Sequence, residues 1–161
     1  MINNDDDTWY NSNGEEFILR DIIKITKLHS QNNGKIYIGT DSFINKSKCV
    51  FATAICLHGA DKQVGGKYFF RRVSFKREKF SELVYRITHE VQQSIEIALH
   101  ITEREPNINI ELHLDVSPTN KNNKTSKFAD MLTKFARGAG FNYKIKPEAW
   151  ASQSVADKHS K

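Results

Sequence analysis

Two strand-like runs that each close on an aspartate constrain this chain more than any other feature. The first is Ile36-Tyr37-Ile38-Gly39-Thr40-Asp41-Ser42. Ile36, Tyr37 and Ile38 are good strand formers, yet the run ends on a carboxylate, and Gly39 lets a second backbone or a ligand come close. The second is Ile108-Asn109-Ile110-Glu111-Leu112-His113-Leu114-Asp115-Val116-Ser117-Pro118, a strand pattern closing on Asp115 and then a turn. Open α/β sheets bind ligands outside the carboxyl ends of their strands. Two strands that deliver one Asp each to one sheet edge make a metal site. Either Asp alone reads equally well as a turn or helix-cap residue; the pair, in this order, favours the metal.

The rest of the chain supplies the elements that bring these runs together. Residues 1–14 are polar and Asn/Asp-rich and are expected to be loose, with Trp9 and Tyr10 docking on the body. From Glu15 to about Ser30, Phe17, Ile18, Ile22, Ile25 and Leu28 recur at helical spacing. Lys35 to Ser42, the nearly continuous apolar run Cys49 to Leu57, and Lys67 to Phe75 then read as three strands joined by short turns. The longest helical stripe runs from Phe80 through Leu83, Val84, Ile87, Val91, Ile95, Ala98 and Leu99, and ends before Pro106. After the Asp115 strand come a helix with Phe128, Met131, Leu132 and Phe135 inward, a short strand from Phe141 to Ile145, and a last short helix capped by Ser152.

A right-handed crossover through the long helix returns the chain beside a parallel strand. The expected architecture is therefore one α/β domain over residues 15–161, with a mixed five-stranded sheet of order 3-2-1-4-5 flanked by helices and an extra N-terminal helix. The winding reverses between strands one and four, so Asp41 and Asp115 become neighbours at the switch point.

Composition sets the limits on class. The 161 residues, 39% of them hydrophobic, suffice for one core. The polar, acidic N-terminus reads as no signal peptide, and no apolar run approaches the ~18 residues of a membrane helix, so a cytoplasmic location is expected. Cys49 and Cys56 share one strand about 20 Å apart on opposite faces, so no disulfide joins them, and no Cys/His cluster has zinc spacing. The net charge of +5 hides an acidic start, Asp5-Asp6-Asp7 with Glu15-Glu16, and a more basic remainder. That balance suits a polyanionic partner or an ordinary solvated face.

Two carboxylates within a few ångströms repel unless a cation lies between them. Mg²⁺ and Mn²⁺ prefer oxygen ligands and leave positions for water and phosphate. A pair of such ions about 3.5–4 Å apart clamps the attacking water and leaving oxygen of a phosphodiester. Further carboxylates are available on the long helix, as Glu82, Glu90 and Glu96, and in the tail, as Asp157.

The order of elements, with Asp at the ends of strands one and four, resembles the ribonuclease-H-like superfamily of nucleases, recombinases and resolvases. More narrowly, Ile38-Gly39-Thr40-Asp41-Ser42, Asp115 followed by Asn122-Asn123-Lys124-Thr125, Lys144-Ile145-Lys146-Pro147-Glu148, and the ending Ser154-Val155-Ala156-Asp157-Lys158-His159-Ser160-Lys161 look like the bacterial YkuK family. The resemblance covers residues 35–161. It implies that Asp41 is the central ligand of a Mg²⁺ or Mn²⁺ site, that Asp115 binds one ion and that Asp157 is the fourth acid. Superfamily members place the helix acid near Glu82, whereas Thr88-His89-Glu90-Val91 matches the narrower family, so Glu90 is preferred and Glu82 is the alternative. The two lie roughly 80° apart around a helix. His159 is a candidate proton shuttle in a mobile tail, with a plain surface role as its competitor; Asp157 competes similarly with an i,i+4 pair to Lys161.

Other residues receive structural readings. His113 shares a strand face with Asp115 and reads as a hydrogen-bonded sheet histidine. The strand-three aromatics read as packing rather than base stacking, and Trp150 as a cover for the core. Lys121, Lys124, Lys144, Lys146 and Lys158 surround the predicted edge, where phosphate contacts would be useful. The sequence thus points to a two-metal nuclease acting on RNA, DNA or a hybrid. The alternatives are a non-catalytic nucleic-acid-binding or regulatory domain on the same fold and an interaction module using its edge strand.

Overall fold

A computed structural model describes residues 3–118 and 125–161. In chain order its elements are β1 (Thr8–Asn11), β2 (Glu16–Ile18), α1 (Leu19–Gln31), β3 (Lys35–Ile44), β4 (Lys48–His58), β5 (Lys67–Lys76), α2 (Leu83–Arg104), β6 (Ile110–His113), α3 (Ala129–Gly138), β7 (Asn142–Lys144) and α4 (Asp157–Ser160). The π-helical turn Ala151–Ala156 runs directly into α4. One mixed sheet has the order β2-β1-β5-β4-β3-β6-β7. Its last five strands reproduce the expected order, with β3 antiparallel to β4, parallel to β6, and β6 parallel to β7.

The N-terminus is where the fold departs from expectation. Residues 8–11 form a strand that pairs with β5 and, through Trp9↔Phe17, with β2, so the sheet has seven strands. The expected helix start at Glu15 moves to Leu19, because Glu16–Ile18 is held in that pairing. Trp9 is fully buried, and the Arg71 guanidinium lies over its ring at 4.8 Å. The acidic run is not free either. Asp5 meets His100 and Arg104, Asp6 meets Arg20, and Asp7 meets Arg71. Three arginines and a histidine spread over α1, β5 and α2 thus tie down a segment whose composition alone reads as loose.

The sheet has helices on both faces. On one, Ile22 and Ile23 of α1, Ile87, Val91, Ile97 and Ile101 of α2, and Leu132 and Ala136 of α3 pack on Ile36, Ile38, Ile55 and Leu112. Leu99, Met131 and Phe135 face outward, contrary to the apolar-stripe reading. In α3 the sheet-facing positions are Ala129, Leu132, Thr133 and Ala136, small enough for the short helix to sit close. On the opposite face the C-terminal segment covers Tyr37, Ala54, Cys56 and Tyr68 with Ala151, Val155 and Ala156. Cys49 and Cys56 lie in separate clusters and are both free thiols. Among the described residues, no helix is long and apolar enough to cross a membrane.

Candidate metal centre

The centre forms where β3 and β6 part. Their last parallel pair is Gly39↔His113, and Asp41 and Asp115 each lie two residues beyond it. β3 itself continues to Ile44 against β4, so Asp41 sits within a strand rather than at its end. Alternation along β3 divides its side chains between two layers. Thr40 and Ser42 face α2: the Thr40 hydroxyl meets Ser94 at 2.7 Å, and the Ser42 hydroxyl donates to Glu90 Oε2 at 2.6 Å. Tyr37, Gly39 and Asp41 face the C-terminal segment. Gly39 is required there, because an added Cβ would lie 2.5 Å from the Ser152 backbone nitrogen.

Three acids converge. Asp41, Glu90 and Asp115 each offer a carboxylate oxygen, and the three oxygens lie within 4.8 Å of one another. Asp41 and Glu90 are buried and Asp115 is partly so. Asp157 adjoins Asp41 from α4, while its carboxylate also holds Lys161 at 3.0 Å, the i,i+4 pair that competes with a ligand role. Glu82 is exposed immediately before α2 and stands apart from the cluster. Eight positions along the helix displace it by about 12 Å, more than its angular proximity to Glu90 suggests.

Electrostatics marks the cluster as short of positive charge. Burial and the neighbouring acids Asp115, Glu90 and Asp157 push the Asp41 carboxyl up to about 9. Burial, then Asp115, raises Glu90 to about 8, against the opposing pull of Ser42 and Arg86. Two cations approach: Lys146 Nζ pairs with Asp115 at 3.0 Å, and Arg86 acts on Glu90 from one turn earlier in α2. Oxygen-only donors that repel one another fit a hard divalent cation.

The remaining candidates take structural positions. The His159 ring stacks on Phe70 with centroids 3.7 Å apart, and its Nε2 meets the Tyr68 hydroxyl at 2.8 Å, so it is pinned to β5 rather than carried on a mobile tail. His113 accepts the Ala151 N–H at Nδ1, its Nε2 lies 3.0 Å from Glu111, and burial lowers its pKa. Trp150 packs on Tyr37 and His113. Lys144 and Lys158 are exposed, and Lys121 and Lys124 lie outside the described residues. Two residues went unrecognised in the sequence, Ser42 and Ser160; the latter donates to Asp41 Oδ2 at 3.1 Å. Alternation from Asp41 puts Ser42 on the α2 side and was the available signal; Ser160 had none beyond its place in the tail.

A family model for ribonuclease H-like proteins matches residues 17–161. The chain belongs to the ribonuclease H-like family. Neither a curated protein nor a solved structure matches it. In this ribonuclease H-like chain the acids stand on β3, just beyond its parallel neighbour β6, and on the helix that crosses between them, which accounts for how residues 74 positions apart come to share one point. Family membership supports a nucleic-acid-related role, and the acidic triad, two of its members buried, offers oxygen donors of the kind a divalent cation takes.

Proposed function

We propose that this protein is a Mg²⁺- or Mn²⁺-dependent nuclease that hydrolyses phosphodiester bonds of RNA, DNA or an RNA–DNA hybrid. The convergence of Asp41, Glu90 and Asp115 beyond the β3–β6 pairing carries the reading. These three residues would hold the cation, with Asp157 as a fourth acid at the rim. When bound, such a cation activates a water and neutralises charge developing on the phosphate. The chain itself supplies orientation. Ser42 fixes the Glu90 carboxylate, Ser160 fixes that of Asp41, and Gly39 lets the Ser160-bearing segment approach. Lys146 places an ammonium beside Asp115 that is suited to a phosphate oxygen, and Lys144 and Lys158 extend positive charge outward. The YkuK-like motifs quoted above support narrower membership within the family. A cytoplasmic setting would keep both buried thiols reduced.

One observation favours a second reading, a non-catalytic nucleic-acid-binding domain. Lys146 and Lys161 already pair with two of the four acids, as internal cations would in a site that had lost its metal. Purified protein incubated with single-stranded, duplex and hybrid oligonucleotides in Mg²⁺, Mn²⁺ or EDTA separates the two. Metal-dependent cutting that Asp41→Asn abolishes, with the fold and nucleic-acid affinity retained, is expected. Binding without cutting on all substrates would transfer support to the second reading, and neither binding nor cutting would sink both.

A further inference from the structure

The sheet face that carries Asp41 is only half covered. Among the described residues the C-terminal segment lies over Tyr37, Gly39 and Asp41, with Ser160 at the acid cluster. Beyond it, alternation puts Phe43 on the same face as Asp41, two residues further along β3, about 7 Å away. The register continues the row across the sheet as Phe43↔Val50↔Ser74, with Asp41↔Ala52↔Arg72 on one side and the pair Lys48↔Lys76 on the other. Phe43 is 37% exposed, and among the described residues no aromatic ring stacks on it and no core cluster absorbs it. Ile44, Cys49, Phe51 and Phe75 pack on the opposite side of the same strands with Phe80, so the face is backed by a packed cluster.

Charge points the same way. Residues 43–50 and 72–79 carry Lys46, Lys48, Arg72, Lys76, Arg77 and Lys79 against one acid, Glu78. All six cations are exposed. Among the described residues none of them makes an ion pair, whereas Arg20, Lys27, Arg71, Arg104, Lys146 and Lys161 all do. An exposed ring on an open sheet face, with Arg72, Lys48 and Lys76 beside it in register and outside any ion pair, fits bases on the ring and phosphates on the rim. A blunt duplex stacks its bases on one another and, apart from its two end pairs, has no base face to offer Phe43.

We propose that this open face of β3, β4 and β5 binds a single-stranded stretch of nucleic acid and leads it to the acid cluster, with Phe43 stacking a base and Lys48, Arg72 and Lys76 holding phosphates. The proposal deepens the nuclease reading and rests on it for the role of the acids. It selects an unpaired segment as the substrate and assigns recognition to the β3–β4 hairpin end.

Anisotropy titrations of labelled single strand and blunt duplex, on the Asp41→Asn background in Mg²⁺, test it. Single strand is expected to bind more tightly than duplex. Phe43→Ala should weaken single-strand binding about 5- to 150-fold, the range found for one stacked base, while duplex binding stays level and Phe43→Trp retains the affinity. Lys48→Ala with Lys76→Ala should lower the salt slope by about 1.4. Unchanged single-strand affinity in Phe43→Ala, a preference for blunt duplex, or no binding to either would overturn the proposal. Cleavage by the wild-type chain is scored in parallel. Cutting that survives Phe43→Ala without loss would remove the platform and leave the nuclease reading. Phe43-dependent binding without any metal-dependent cutting would do the reverse.

Discussion

The metal-free protein should lose stability as pH rises through neutrality, and a divalent cation should reverse the loss. In the unfolded chain Asp41 and Glu90 ionise near their ordinary values of 3.8 and 4.5, whereas in the fold they hold protons up to about 9 and about 8. Between those limits the native state binds more protons than the unfolded one, so stability falls with rising pH. Histidines push the other way at lower pH. Burial takes His89 down to about 4, so its contribution grows as pH rises and is complete above about 6.5. The clean window is therefore about pH 6.5–8. Each proton retained there contributes a loss of about 1.4 kcal/mol per pH unit, or about 2 kcal/mol across the window. For a domain of this length that is a fall in Tm of about 4–8 °C per proton. The assay is thermal unfolding in EDTA and in saturating Mn²⁺ across the window. The EDTA curve should fall, and the gap between the curves should widen with pH, because metal binds the ionised acids. A flat or rising EDTA curve, or a gap independent of pH, would mean that Asp41 and Glu90 are not held protonated in the metal-free fold.

Three further outcomes follow from the packing and the site. Gly39→Ala should cost about 1–3 kcal/mol or more, since its methyl meets the Ser152 backbone rather than a flexible side chain, and hydrogen exchange should rise in residues 150–161. Trp9→Ala should cost about 3–5 kcal/mol in denaturant unfolding, as a fully buried indole in the core rather than part of a loose arm. Lys146→Met should tighten Mn²⁺ binding and destabilise the metal-free fold by about 1 kcal/mol, because it removes the cation that pairs with Asp115; calorimetry and melting read the two effects separately.

Much of the centre was legible because it follows from short-range pattern plus one topological rule. Runs of strand formers closing on Asp41 and Asp115, with a long helix between them, place two carboxylates side by side once the crossover is right-handed. Glu90 and Glu82 were harder to separate, since angular proximity on a helix says nothing about axial distance along it. The N-terminal strand was illegible for a different reason. Asp5, Asp6 and Asp7 find partners on α1, β5 and α2, up to 99 positions away, and no local composition reports such pairs. The docking of His159 on Phe70 was equally hidden, because nothing in the tail sequence declares which sheet face it will cover. Gly39 did announce a close approach, but not that Ser152 would be the neighbour.

If Asp41, Glu90 and Asp115 form a divalent-cation site, the protein takes up Mn²⁺ there. Titration of Mn²⁺ into metal-free protein at neutral pH, followed by loss of the free-ion paramagnetic resonance signal, counts the bound ions. The wild-type chain should show saturable uptake of at least one ion. Asp41→Asn should weaken that uptake by at least the roughly 10–100-fold that losing even an outer-shell partner costs. Glu82→Gln should leave it unchanged, because Glu82 stands apart from the cluster. No saturable uptake by the wild-type protein, or equal uptake by Asp41→Asn, would contradict the account.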